Sequence, residues 1–410
     1  MLPQAIANRL ARQALAELPI SLIARHLDFA HAPRVCKSFA RRLGMLHDSK
    51  EARGIAASWL GPQGLLSDLA SLDDDRRHVF RHIAPTDPAL SLRTIEAADR
   101  KGQLGATATG GLRSFVAPIL CKIAYDPVLF DRSAAVLARI AVLDLPSSNI
   151  SYCWSIFVAL FSMQLSGTMA TPCQRATFLR GLFTSPDTAI RQLGVDGLEA
   201  WLSTVPYRSG QEFAFGAWSR GFGYFPRTGQ EADEWFSIGI DLALGVASTG
   251  SESSGKLLAK AMRDLWPRGF AHTPIAAAAR FMAARGFWPA GWVALRTALS
   301  AVRKQSEPEG AGDLELLVRE LGPQSLMDRI QVHVFEALPR GFQDDDDDAP
   351  ERYRALEERR KQTAEALGAE TAGCLVILDS LLPALVASSA RLVGAFANGL
   401  AKVAEAPALI

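Results

Sequence analysis

The segment Gly250-Ser-Glu-Ser-Ser-Gly255-Lys256 comes closer to a catalytic motif than any other run in this 410-residue chain. A P-loop cradles phosphate with glycine-rich backbone amides, reaches the terminal phosphates with a lysine, and holds magnesium with a hydroxyl on the next residue. Here the next residue is Leu257, which has no hydroxyl. Leu375-Val-Ile-Leu-Asp379 imitates the apolar strand and aspartate that would complete such a site, but Leu381, Leu382 and Val386 continue it at helical spacing. Gly250, Gly255, Lys256 and Asp379 therefore read as a decoy made of an inter-helix turn and a helix. The alternative is a cryptic nucleotide-binding site.

Other chemistry-bearing residues are equally incomplete. His78 and His82 stand at i, i+4 and could begin a zinc site, yet no HExxH pattern or third ligand accompanies them, and Arg76, Arg77 and Arg81 would oppose a cation. Ser166-Gly167-Thr168 lacks a histidine partner nearby in sequence, and no GxSxG elbow occurs. The run Asp344 to Asp348 lacks the alternating ligands and glycine turn of a calcium loop, so it reads as a solvated acidic loop. The expectation is a chain with no catalytic residue, no metal site and no cofactor.

Phe213 to Trp235 is harder to dismiss. Gly216, Gly221, Gly223 and Gly229 are interleaved there with Phe213, Phe215, Trp218, Phe222, Tyr224 and Phe225, and Arg220 and Arg227 sit among them. Such a composition stacks bases, grips phosphate or anchors a protein partner. It also builds satellite cores that plug a helical array. Trp218, Arg220, Tyr224 and Arg227 are the candidate partner-binding residues, with the core plug as the competing role.

The elements that must position these residues read as helices. Small polar N-caps followed by proline recur at Asp87-Pro88, Asp126-Pro127, Thr171-Pro172, Ser185-Pro186 and Thr273-Pro274. Each pair offers a side-chain oxygen to orphan N–H groups and a ring whose φ suits the first helical position. Phe130, Ala134, Leu137 and Ala141 form one helical stripe, as do Ile190, Leu193, Leu198 and Trp201. A helix with one apolar stripe must stack on a neighbour, which predicts an all-α, irregular HEAT-like helical-repeat solenoid. Its expected parts are an N-terminal helical segment over 1–111, a central repeat region over 112–303 carrying the loop 213–235, and a C-terminal helical segment over 314–410 carrying the acidic loop 344–348.

Composition narrows the partners. Forty-four Lys and Arg face 43 Asp and Glu, so nothing in the overall balance demands nucleic acid or an anionic membrane. The balance is uneven, however: nine Lys/Arg against four acids lie between Met1 and Leu60. That excess reads as a solvated helix face or, alternatively, as an electropositive contact surface that would take nucleic acid. Five cysteines without metal-binding spacing or a secretory signal suggest reduced thiols in a cytoplasm. The apolar run Cys374 to Val386, interrupted by Asp379 and Pro383, is too short to span a bilayer.

Several stretches resemble the helical region of large bacterial STAND-like P-loop NTPases. They are Leu112-Arg-Ser-Phe-Val-Ala-Pro-Ile-Leu120, Ala124-Tyr-Asp-Pro-Val-Leu-Phe-Asp-Arg132, Leu165-Ser-Gly-Thr168 with Ala170-Thr-Pro172, Phe213 to Gly216, Gly223-Tyr224, Pro226-Arg227, Phe287 to Trp292, Leu381-Leu-Pro383 and Phe396 to Ala401. The opening residues Leu2-Pro3 to Ala11 look like the segment that follows the NTPase module. In that family a long helical sensor arm controls a nucleotide-dependent switch, and several members are associated with defence against bacteriophage. The resemblance implies a regulatory arm that meets an NTPase or effector subunit, encoded nearby. It transfers no hydrolytic residue, because no intact P-loop is present.

Overall fold

The computed structural model describes residues 4–19, 22–23, 27, 32–105, 110–143, 152–205, 213–249, 252–305, 310–336, 338 and 350–405. Among the described residues there are nineteen α-helices and no strand. Gly250 and the acidic run 344–348 lie outside them. The chain divides into two compact units, Met1–Arg227 and Thr228–Ile410.

The first unit contains α1 (Gln4–Glu17), α2 (Pro33–Leu43), α3 (Lys50–Leu60), α4 (Asp74–Ile83), α5 (Pro88–Arg100), α6 (Gly110–Ile123), α7 (Pro127–Leu143), α8 (Tyr152–Ala159), α9 (Pro172–Phe183) and α10 (Thr188–Leu202). Neighbours in sequence pack on one another: α6 on α7, α7 on α8, and α9 on α10. Three N-cap–proline pairs start helices as expected. Asp87 accepts from Leu90 N at 2.8 Å, Asp126 from Val128 N at 2.9 Å, and Thr171 from Gln174 N at 3.2 Å.

Two pairs do not. After Ser185-Pro186 the cap passes to Asp187, whose carboxylate accepts from Ala189 N, and α10 begins at Thr188. Ser185 Oγ instead accepts from Asp187 N, shaping the turn before the helix. At Thr273-Pro274 the helix has already begun at His272, so the proline is a third-position residue and not the first.

The apolar stripes fall inward. Phe130, Ala134, Leu137 and Ala141 of α7 are buried, as are Leu193, Leu198 and Trp201 of α10. Phe130, Phe157, Phe161 and Phe178 meet in one aromatic cluster with ring centroids 5.1–6.4 Å apart. Fully burying one such ring contributes about 1.5–3 kcal/mol, so this cluster is a main anchor of the unit. Gly194 and Gly197 sit where a Cβ would press on Leu182, Phe183, Leu179 and Phe161, which explains two glycines inside a helix.

The second unit contains α11 (Gly229–Ala247), α12 (Glu252–Leu265), α13 (His272–Ala283), α14 (Pro289–Arg303), α15 (Ala311–Glu320), α16 (Leu326–Ile330), a π-helical turn (Gln331–Phe335), α17 (Pro350–Ala372), α18 (Leu375–Ala387) and α19 (Val393–Glu405). Helix α11 starts at Gly229 under a Thr228 cap, so residues 229–235 are not part of the aromatic loop as the sequence suggested. Trp235 is a core residue of that helix. The acidic first turn around Glu231 is what the sequence reading had joined to the loop.

Candidate functional site

Residues 213–227 cross the first unit as a loop pinned along its length. Gly216 adopts φ +61° and lies so close to Gly44 O and Pro85 that a Cβ would overlap both. Trp218 Nε1 donates to Pro85 O at 2.7 Å, and its indole stacks on His47 with centroids 4.1 Å apart. Gly223, at φ +99°, passes over Thr168, where a Cβ would stand 2.7 Å from both Thr168 N and O. Only glycine permits that left-handed backbone and that approach together.

Arg220 is sandwiched. Its guanidinium carbon lies 4.6 Å from the Tyr125 ring centroid and 4.6 Å from that of Phe215, and the group donates to Lys122 O. Burial pulls its pKa down to about 10, so it keeps its charge at neutral pH with its faces already occupied. The Tyr125 hydroxyl accepts from Gly221 N at 3.1 Å. Arg220 is an internal anchor in this arrangement, and its cation–π contacts of ~0.5–2 kcal/mol each hold the loop down.

The loop meets a second irregular segment, Leu165 to Ala170. Gly167 N donates to Phe222 O at 3.0 Å, and Tyr224 N donates to Thr168 O at 2.7 Å. Leu165 and Gly167 are both left-handed, with φ +55° and +69°. Thr168 is fully buried: its hydroxyl donates to Ala124 O at 2.6 Å and accepts from Ala170 N at 3.1 Å. Among the described residues Ser166 Oγ, buried, meets no hydrogen-bond partner, so none of them stands where a base would activate it.

Beneath this junction lies Arg175 of α9, which the sequence reading missed. It has no exposed surface. Its guanidinium donates to Ala170 O at 2.9 Å, Thr168 O at 3.0 Å, Leu160 O at 3.1 Å and Ser162 O at 3.3 Å. The Tyr224 ring lies 5.9 Å away. Burial lowers its pKa to about 9. A single side chain therefore ties the end of α8, the 165–170 turn and, through Tyr224, the aromatic loop. The signal in sequence was an arginine one turn before Leu179 on an otherwise inward face.

The candidate residues thus separate by position. Arg220 and Tyr224 face the protein, Trp218 is docked along one face with 40% of its surface exposed, and Arg227 is exposed. Phe222 and Phe225, not singled out by sequence, are 64% and 50% exposed. Segments 124–132, 165–172, 213–216 and 223–224, which carried the family resemblance, converge at this junction.

Elsewhere, Gly255 and Lys256 lie inside α12, and Asp379 lies exposed inside α18. No strand precedes that glycine among the described residues. His78 and His82 touch edge to face at 4.4 Å. Burial, then the charges of His78, Arg41, Arg81 and Lys122, push the His82 pKa down to about 4. Among the described residues no group of three or more potential ligands could hold a metal ion, and no helix is long and apolar enough to cross a membrane. Comparison of the chain with family models, curated proteins and solved structures finds no match.

Proposed function

We propose that this chain is a non-catalytic, HEAT-like helical scaffold that binds a protein partner through the outer rim of the aromatic loop. The observation that carries this reading is a loop anchored at Gly216, Trp218, Arg220, Gly223 and Tyr224 that still turns Phe222 and Phe225 toward solvent. Large aromatics held in place before binding lose little conformational freedom on contact, which is why such residues dominate interface energetics. Trp218, Phe222, Phe225 and Arg227 form the proposed contact set, with Arg220 and Tyr224 as its supports. The first unit also holds a groove of about 700 Å³, lined by Asp131, Arg139, Gln174, Phe178 and Ile190 between α7, α9 and α10, which suits an extended or helical segment of the same partner.

The resemblance to the helical arm of STAND-like NTPases supports choosing an NTPase or effector subunit as that partner. It also supports a regulatory or sensing role in a bacterial cytoplasm, of the kind associated with defence against bacteriophage. The test is site-specific photocross-linking in the cells that make the protein. A benzophenone side chain at Phe222 is expected to trap one discrete protein, whereas the same group at Val376, 84% exposed on α18, traps none. Equal adducts at both positions, or none at Phe222, would refute the reading.

A further inference from the structure

The groove between α7, α9 and α10 has a chemistry of its own. Its volume of about 700 Å³ is kept open by small residues, Ala135 and Ala138 on α7 and Gly181 on α9, with Phe178, Leu182 and Ile190 as apolar sides. Gly181 lies in the last turn of α9 without a left-handed φ, and a Cβ there would meet nothing. Gly194 and Gly197 differ, because neighbouring side chains crowd them from inside the unit. Glycine weakens a helix relative to alanine, and at Gly181 no contact among the described residues requires it. Its missing side chain leaves depth in the groove.

One charge in the groove is unbalanced. Asp131 is exposed at the end where Gln174 Nε2 donates to its carboxylate at 3.1 Å and to Pro127 O at 2.9 Å. Among the described residues Asp131 meets no cation. Arg139, two turns or ~12 Å further along α7, is already held by Asp99 at 2.9 Å.

We propose that the groove receives an amphipathic α-helix of the partner protein, with large apolar side chains seated between α7 and α9 and a lysine or arginine facing Asp131. The proposal rests on the scaffold reading and names the part of the partner that enters here. An extended segment fits poorly, because extended peptides gain affinity from main-chain hydrogen bonds. The groove walls are helices, whose backbone groups pair with one another. Thr177 and Thr184 turn their hydroxyls to Cys173 O and Gly181 O, at 2.9 and 3.0 Å. Little in the groove can therefore pair with an extended main chain, whose polar groups would give up water without replacement. A helix arrives with its backbone already paired. Its side chains at i, i+3, i+4 and i+7 form the ridges that enter a trough between two helices. The small residues of the floor leave room for leucine- or phenylalanine-sized knobs, and Asp131 fixes the sign of the charge beside them.

The experiment selects binders to the full-length chain from two display libraries of equal peptide length, one of helix-forming peptides randomised on one face and one of extended peptides framed by proline. Helical binders are expected, with apolar residues at i, i+4 and i+7 and a lysine or arginine next to that stripe. Gly181→Leu fills the groove from a position where a Cβ meets open space, and should weaken the selected peptides tenfold or more. Gly245→Leu, equally open on α11, should leave them unchanged. Asp131→Lys should weaken them at least threefold, and exchanging the basic residue of the peptide for glutamate should restore binding to that variant. Circular dichroism and a melting curve check that each variant keeps its helix content and stability. No helical binder, stronger enrichment of extended peptides, binders indifferent to Gly181→Leu, or no recovery on charge exchange would overturn the proposal. The cross-link at Phe222 decides the scaffold reading separately: an adduct there without helical binders defeats the groove proposal alone, whereas helical binders without an adduct remove the aromatic rim and keep the groove.

Discussion

At the scale of single residues, Arg175 is the side chain with most to lose. Four carbonyl oxygens depend on one guanidinium, and a buried acceptor left without a donor costs about 1–3 kcal/mol. Arg175→Met should therefore lower stability by on the order of 3 kcal/mol or more, read as the urea midpoint. Arg175→Lys should recover only part, because a point-like ammonium cannot span the same four acceptors. His82 makes a different prediction. Its pKa is pushed down to about 4 in the fold against ~6.5 in the unfolded chain. Between those values the unfolded chain binds the extra proton, so stability falls as pH drops from 6.5 to 4 and levels below. His82→Gln should flatten that part of the urea-midpoint profile. Neither residue was legible as a key position: Arg175 gains its role from carbonyls 5 to 15 residues away in sequence, and His82 from burial first and then from charges that come from α2 and α6 as well as from its own helix.

Elements were more legible, because their causes are local. Asp87-Pro88, Asp126-Pro127 and Thr171-Pro172 start helices through a cap and a ring within four residues. Ser185-Pro186 failed because a better acceptor, Asp187, stood two residues on. The aromatic loop was recognisable by composition, but its docking was not, since it depends on Pro85, Lys122, Tyr125 and Thr168. That docking yields a sharp comparison. Gly223→Ala places a methyl against Thr168 on a left-handed backbone, and Gly216→Ala does the same against Gly44 and Pro85. Gly221→Ala meets open space. Limited trypsin digestion should cut the first two variants faster at Arg220 and Arg227 than wild type, with Gly221→Ala unchanged. Equal cutting in all four proteins would mean the loop is not held as described. Trp218→Phe keeps the stack on His47 and loses the bond to Pro85 O, so it should cost about 1 kcal/mol, measured by the same urea titration.

At the scale of the whole chain, each compact unit encloses a core of its own. The second unit ends in a helix crossing built on small residues: Gly368 of α17 faces the Phe396 carbonyl, and Gly399 of α19 faces that of Glu365, at approaches a Cβ would obstruct. Phe396 fills the centre with Ile330, Val334, Ala364, Leu367 and Leu381. A local unfolding unit is a set of residues that share such a core, and its opening exposes its own amides. Gly399→Ala forces α19 away from α17 and should raise hydrogen exchange across α17, α18 and α19 of the full-length chain by tenfold or more. Amides of α7, α9 and α10 answer to the Phe130, Phe157, Phe161 and Phe178 cluster and to Arg175, so they should keep their wild-type protection. Gly394→Ala, on the same helix with nothing near its Cβ, should change neither group. Uniform loss of protection across all six helices in Gly399→Ala would show one cooperative core in place of two.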